Sequence, residues 1–345
     1  MLYTELFYLG ITTLTFIGLL VILLTYLIIR KSFHIKKRQT IEAYKKKYHT
    51  IIYKLLTNGG YARVLHPQNN AQLKAIEEML SRYASVLEGE QEKKNLSEIA
   101  SFYLKDYYQK RLDSKRWSRR MNALYHIEDF HMISLLESID KMAKKRRLSY
   151  EETVHVLRIL APFQADKMYE LLTTDFSTLS EYEYRSILIR LEQKQFDQFV
   201  LGYHKLQAAL KLALLDVLSI KKDVSYQFFI EKVFLNYSGE IKLRALKALA
   251  GIGYVKNIDL YMCLMYSDKW QERMLAAKLI GTLKEEKGIP RLKELLHDQS
   301  WWVRHQAGQS ISQFSNGKEI LTTILETTKD PFAKDMAWEW IHKGV

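Results

Sequence analysis

This chain of 345 residues contains one cysteine and four prolines. A lone cysteine, Cys263, excludes an internal disulfide framework and a zinc site built on cysteines. It lies in the apolar run Leu260–Met265, where a buried and inert thiol is expected. A catalytic cysteine would need a nearby base and electropositive surroundings, and no sequence pattern supplies them. Few prolines suit long, uninterrupted helices. Period-two alternation of any useful length is missing, so no strands are expected. Also missing are a glycine-rich phosphate loop, a His-Glu-x-x-His pair and a Cys-x-x-Cys pair. The ten histidines are scattered, with His126 and His131 five apart and His297 and His305 eight apart. Neither pair has an acid in ligand-like register. No cofactor or metal is expected, and the chain reads as a non-enzyme.

Basic residues are absent from the first 29 positions, where Glu5 is the single charge. Residues 6–29, LFYLGITTLTFIGLLVILLTYLII, carry none at all. As a helix rising about 1.5 Å per residue, this run spans about 36 Å, enough to cross a hydrocarbon core of about 30 Å with some tilt. No positive charge precedes it and no small-x-small cleavage site follows, which argues for a retained transmembrane helix over a signal peptide. Arg30, Lys31, Lys36, Lys37 and Arg38 follow it. By the positive-inside rule the N-terminus lies outside and the C-terminal bulk in the cytoplasm. The expectation is a single-pass protein of the plasma membrane. The five basic residues either set this topology alone or also attract anionic lipid, by about 1 kcal/mol each. The net charge of +13 is concentrated nearby, since residues 30–150 carry 26 basic and 13 acidic side chains. Residues 151–345 are nearly balanced. Excess charge beside a membrane run fits a lipid surface better than a nucleic-acid groove, and no nucleic-acid partner is expected.

Residues 30–58 read as a basic juxtamembrane amphipathic helix. Ile41, Tyr44, Tyr48, Ile51, Ile52 and Leu55 share a face of it. It can lie along the headgroups, continue the anchor as a stalk, or pair with another copy. Asn58-Gly59-Gly60 stops it, because glycine tolerates positive φ. Residues 59–69 read as a linker, and residues 70–112 as two helices forming a capping unit. Residues 113–345 carry a repeat. Arg304, Ala307 and Ile311 form the pattern basic-x-x-small-x-x-x-aliphatic. It recurs 31 residues earlier as Arg273, Ala276, Ile280, then as Lys242, Ala245, Leu249, and as Lys211, Leu214, Leu218. Lys334, Ala337, Ile341 follow, and Arg120, Ala123, Ile127 stand far upstream. A period near 31 marks helix pairs that bury their apolar faces only by stacking. Asp298 is placed to cap the helix that begins after it.

The motif of acid, loop, aliphatic–basic pair, small residue and aliphatic resembles HEAT repeats, most closely the short HEAT-like repeats of bacterial proteins. Asp298, Val303, Arg304, Ala307 and Ile311 carry it best. Asp268, Arg273, Ala276 and Ile280 follow it, with Glu272 in place of the aliphatic. Asp330, Lys334, Ala337 and Ile341 follow it more loosely. The resemblance implies an all-α chain: a right-handed α-solenoid of HEAT-like helix pairs, preceded here by one transmembrane helix. It further implies that the ladder Lys211, Lys242, Arg273, Arg304, Lys334 bonds acids and loop carbonyls, engaging Asp268 and Asp298. The rival reading of that ladder is a charged groove for an acidic peptide. HEAT-like iron hydroxylases carry repeated His-Glu pairs, which this chain lacks. The Trp and Arg content is faintly similar to HEAT-like DNA alkylpurine glycosylases, and a nucleic-acid enzyme of that kind is one alternative function. A lipid-surface adaptor is the other. Trp117, Trp270 and Trp301 each stand three residues before a basic repeat position. They either close loops between helices or, with Trp302, Arg304 and Trp338, present a surface to a protein partner. The expected function is a membrane-anchored, protein-binding scaffold.

Overall fold

A computed structural model describes residues 2–145, 148–163 and 165–343. Arg146 and Arg147, in the basic run that begins at Lys144, lie outside the described residues. Among those described, the secondary structure is helical, without strands. The chain forms two compact units, Met1–Ile159 and Leu160–Val345.

The first unit contains α1 (Leu2–Asn58), α2 (Asn70–Ala84), α3 (Glu90–Leu112), α4 (Trp117–Asp129), α5 (Leu136–Lys145) and α6 (Tyr150–Leu160), whose last residue crosses the division. The apolar run and the basic amphipathic stretch are thus one helix of 57 residues. It is long and apolar enough to cross a membrane. Side chains from Gly10 to Thr40 are exposed, and burial begins at Ile41. Ile41, Tyr48, Ile52 and Leu56, spaced by four or seven, then seat α1 on α2 and α3. Gly59 and Gly60 take positive φ and end the helix. Asn95 of α3 fastens that end, donating from its amide to Leu56 O at 2.7 Å.

The stretch 59–69 is not a free tether. Leu65 is fully buried in a short 3-10 turn, and Tyr103 Oη accepts from Ala62 N and donates to Ala62 O. Buried Glu77 accepts from Tyr108 Oη at 3.0 Å, tying α2 to α3.

The second unit contains α7 (Ala165–Thr173), α8 (Glu181–Leu188), α9 (Gln193–Leu201), α10 (Ala208–Lys221), α11 (Gln227–Asn236), α12 (Gly239–Ile252), α13 (Ile258–Met262), α14 (Trp270–Leu283), α15 (Ile289–Leu295), α16 (Trp301–Ser312), α17 (Gly317–Thr327) and α18 (Pro331–His342). The helices α8, α10, α12, α14, α16 and α18 pack side by side in that order, and α11, α13, α15 and α17 each pack against the helix that follows. The small repeat residues Ala245, Ala276, Ala307 and Ala337 are all fully buried. The helices α14 and α16 approach closely. A Cβ on Gly281 would stand 2.7 Å from Ser310 Cα, and Ser310 Oγ donates to Ala277 O at 2.8 Å. Pro290 occupies the first turn of α15, where its missing N–H costs nothing.

Two expectations are corrected. Cys263 is exposed, not buried. The run Leu260–Met265 changes from α13 into a 3-10 turn, which points Tyr261 and Met265 inward and Cys263 outward. Asp298 does not cap α16, whose N-cap Ser300 makes no side-chain cap bond. The Asp298 carboxylate instead accepts from Ser300 N and from Arg273.

Candidate functional site

The arginines of the repeat pattern share one geometry. Each sends Nη1 to the carbonyls six and five residues before it. Arg120 reaches Ser114 O and Lys115 O at 2.9 and 3.1 Å. Arg273 reaches Ser267 O and Asp268 O at 2.8 and 3.0 Å. Arg304 reaches Asp298 O and Gln299 O at 2.8 and 3.1 Å. A planar guanidinium has the donors to bridge two loop carbonyls and still address a carboxylate. Arg120 Nε adds Glu152 at 2.6 Å, and Arg273 adds a bidentate pair to Asp298 at 2.7 and 2.8 Å.

The lysines at the same register do otherwise. Lys211 lies over the Tyr203 and Tyr237 rings, Lys242 lies 4.9 Å from the Phe234 ring, and Lys334 is exposed. The ladder therefore bonds loops only where it is arginine. Asp268 is exposed and joins through its carbonyl, not through its carboxylate, which corrects its expected pairing. Among the described residues Arg304, 9% exposed, lacks the carboxylate its counterparts have; its Nε is unpartnered there and its guanidinium lies 4.8 Å from the Phe332 ring.

Burial pushes the Asp298 carboxyl up, but Arg273 and Ser300 N outweigh it and hold the group below the ordinary carboxylate range. The same opposition, won by Arg120 and Ser149, holds Glu152 down. Depressed folded pKa values stabilise the fold above the unfolded values, about 4 for these groups, and that contribution disappears as pH falls through the folded ones. Thermal unfolding followed by circular dichroism should thus show stability dropping below about pH 4. In Asp298→Asn that drop should be smaller, on a lower plateau at neutral pH. An unchanged acid limb would remove the pair from the acid response.

Five of the six tryptophans are surface residues, and the sixth, Trp340, is half-buried against the core. Trp270, Trp301, Trp302 and Trp338 are 36%, 44%, 57% and 57% exposed. Trp117, whose Nε1 donates to Ser149 Oγ at 3.0 Å, has the loop-closing bond. Trp270 stands apart on α14, whereas Trp301, Trp302 and Trp338 make ring contacts along α16 and α18. Trp301 meets Trp302 edge-on at 4.9 Å and stacks on His305 at 4.8 Å. His305 meets Trp340 at 5.1 Å, and Trp338 lies against His342 at 4.5 Å. Burial keeps His305 below its ordinary pKa, against the pull of Glu339, so the stack is held by a neutral ring at pH 7. Phe332 adds a further exposed ring. His305 and Phe332 were not anticipated as part of this surface, nor was the contact of His305 with half-buried Trp340. The four-residue spacing of Trp301 and His305 on a helix was the available signal.

On α1, Arg30, Lys31, Lys36 and Lys37 are exposed, whereas Arg38 pairs with Glu42 at 2.7 Å and Glu78 at 2.8 Å. Among the described residues no group of three or more His, Cys, Asp or Glu side chains is placed to hold a metal.

Helix pairs stacked at a 31-residue period, with an arginine bridging loop carbonyls, define the class of helical-repeat proteins. Residues 229–312 and 259–339 match the family described as HEAT repeats. No curated protein matches the sequence. Among solved structures, the chain is similar to an engineered protein at 14% identity, covering 90% of this chain and 96% of that one, with a TM-score of 0.37. A second engineered protein shares 14% identity over 77% of this chain and 94% of its own, with a TM-score of 0.26. Human deoxyhypusine hydroxylase in complex with glycerol shares 12% identity over 88% and 98%, with a TM-score of 0.27.

Proposed function

We propose that the chain is a single-pass membrane protein whose HEAT-like solenoid, on the cytoplasmic side, holds a partner protein at the membrane without catalysing a reaction. The observation that carries this reading is the exposed aromatic cluster on α16 and α18. Trp301, Trp302 and Trp338 are outside the core, yet Trp301 rests on Trp302 and His305, and Trp338 rests on His342, so each exposed indole is braced by a neighbouring ring. Tryptophan and arginine dominate protein–protein hot spots, and HEAT repeats serve in general as protein-interaction folds. The exposed run Gly10–Ile29, followed by the basic residues of α1, supports the anchor.

One labelling and crosslinking experiment tests both parts. Cys263 is the single cysteine and is exposed, so the native chain carries its own topology probe. A membrane-impermeant maleimide should leave it unmodified in intact cells and modify it in broken membranes. Modification from outside would overturn the cytoplasmic assignment. Crosslinking in membranes should join the wild type to a partner, and Trp302→Ala/Trp338→Ala should weaken that product at least tenfold with unchanged melting temperature. An equal yield from the variant would remove this surface from partner binding.

A further inference from the structure

The basic side chains after the apolar run belong to a larger arrangement. The helices α1, α2 and α3 and the start of α4 enclose a groove of about 850 Å³. Six cationic side chains line it: Lys37 and Arg38 from α1, Lys74 from α2, Lys110 and Arg111 from α3, and Arg119 from α4. Glu78 is the one carboxylate among the lining residues, and Arg38 at 2.8 Å and Lys45 at 2.5 Å already neutralise it. Buried Glu77 holds Lys74. The Arg111 guanidinium lies 4.3 Å from the Tyr107 ring, its donors at the groove wall. Lys37, Lys110 and Arg119 are exposed and, among the described residues, form no ion pair. Residues separated by up to 82 positions in sequence are thereby brought to one concave wall as a concentration of like charge, which a bound anion would relieve.

The groove is also at the right height for a particular anion. His34, the lining residue nearest the apolar run, stands five residues past Ile29, about 7.5 Å further along the helix. One headgroup layer is about 5–8 Å deep, and tilt of the helix brings the groove closer to it. We propose that this groove binds the phosphate of an anionic phospholipid headgroup. Lysine ammonium groups and an arginine fork meet phosphate oxygens, and the fixed wall selects net negative charge over a zwitterion. This inference rests on the membrane-anchor reading above.

Native mass spectrometry of the full-length chain, purified from membranes in detergent, gives the test. Phosphatidylglycerol should be retained in preference to phosphatidylcholine. Lys110→Gln/Arg119→Gln should weaken retention of phosphatidylglycerol by about thirtyfold, as the loss of two surface charges implies. Arg30→Gln/Lys31→Gln, on α1 outside the groove, should weaken it far less. Lys37→Gln provides a second groove variant if the double change disturbs folding, and should lower retention in the same direction. Equal retention of the two lipids, or equal losses from the two double variants, would overturn the proposal. Inorganic pyrophosphate bound as tightly as phosphatidylglycerol would assign the groove to a soluble anion and overturn the lipid assignment. A chain absent from the membrane fraction would take the anchor reading down as well. A membrane-embedded chain whose groove variants hold phosphatidylglycerol like the wild type would remove the groove proposal alone.

Discussion

Arg273→Ala is expected to lower stability by about 3–5 kcal/mol, the cost of removing one partner from a buried, hydrogen-bonded ion pair. The pair is nearly closed to water, with the Arg273 and Asp298 side chains 15% and 8% exposed. The substitution also strands Ser267 O and Asp268 O, each bonded by Nη1. Lys242→Ala, at the equivalent register, should cost less than about 1 kcal/mol, since it removes only a cation–π contact. Denaturant unfolding of the two variants checks the contrast. Similar losses would show that the register, and not the guanidinium geometry, sets the contribution. Arg273→Lys should recover little, because an ammonium cannot bridge two carbonyls while gripping both carboxylate oxygens.

The second large effect is expected where α14 meets α16. Gly281→Ala places a Cβ 2.5 Å from Ser310 Cβ and 2.7 Å from Ser310 Cα, so backbone must move. Ala307→Leu adds three carbons at a site with no exposure. Each should cost about 1–3 kcal/mol through overpacking. Gln313→Leu, on the exposed end of the same helix, should stay within about 0.5 kcal/mol. In a repeat array contacts run between neighbours, so hydrogen exchange should quicken first in α14, α16 and α18. Uniform quickening through the chain, or equal tolerance at Ala307 and Gln313, would contradict the repeat register.

Much of the helix arrangement was legible because it is written in spacing. The pattern Arg273, Ala276, Ile280 has helical spacing, and all three residues lie on α14. The face Ile41, Tyr48, Ile52 was read as apolar, and it is the face that seats α1. What spacing did not carry was rotation at irregular turns and the meeting of distant residues. Cys263 sits in an apolar run, but a change from α to 3-10 geometry turns it outward. The basic pattern treated Lys and Arg as one class, yet only the planar side chain bridges carbonyls. Lys74, Lys110, Arg111 and Arg119 gave no local sign of a shared groove, because three different helices deliver them. The aromatic cluster was half legible: tryptophan positions were visible, and the histidine that stacks between them was not.

The uninterrupted course of α1 has a consequence for orientation. No glycine or proline interrupts residues 19–58, so the exposed apolar segment and the seated segment share one screw axis. Rotation of one about that axis is rotation of the other, and the helix works as a keyed shaft. Each inserted residue between Arg30 and Arg38 would turn the first unit by about 100° and lift it by about 1.5 Å. The direction in which α2 and α3 face the surroundings of the apolar segment is therefore set by counting residues, and a seven-residue insertion would nearly restore it, at a height about 10 Å greater.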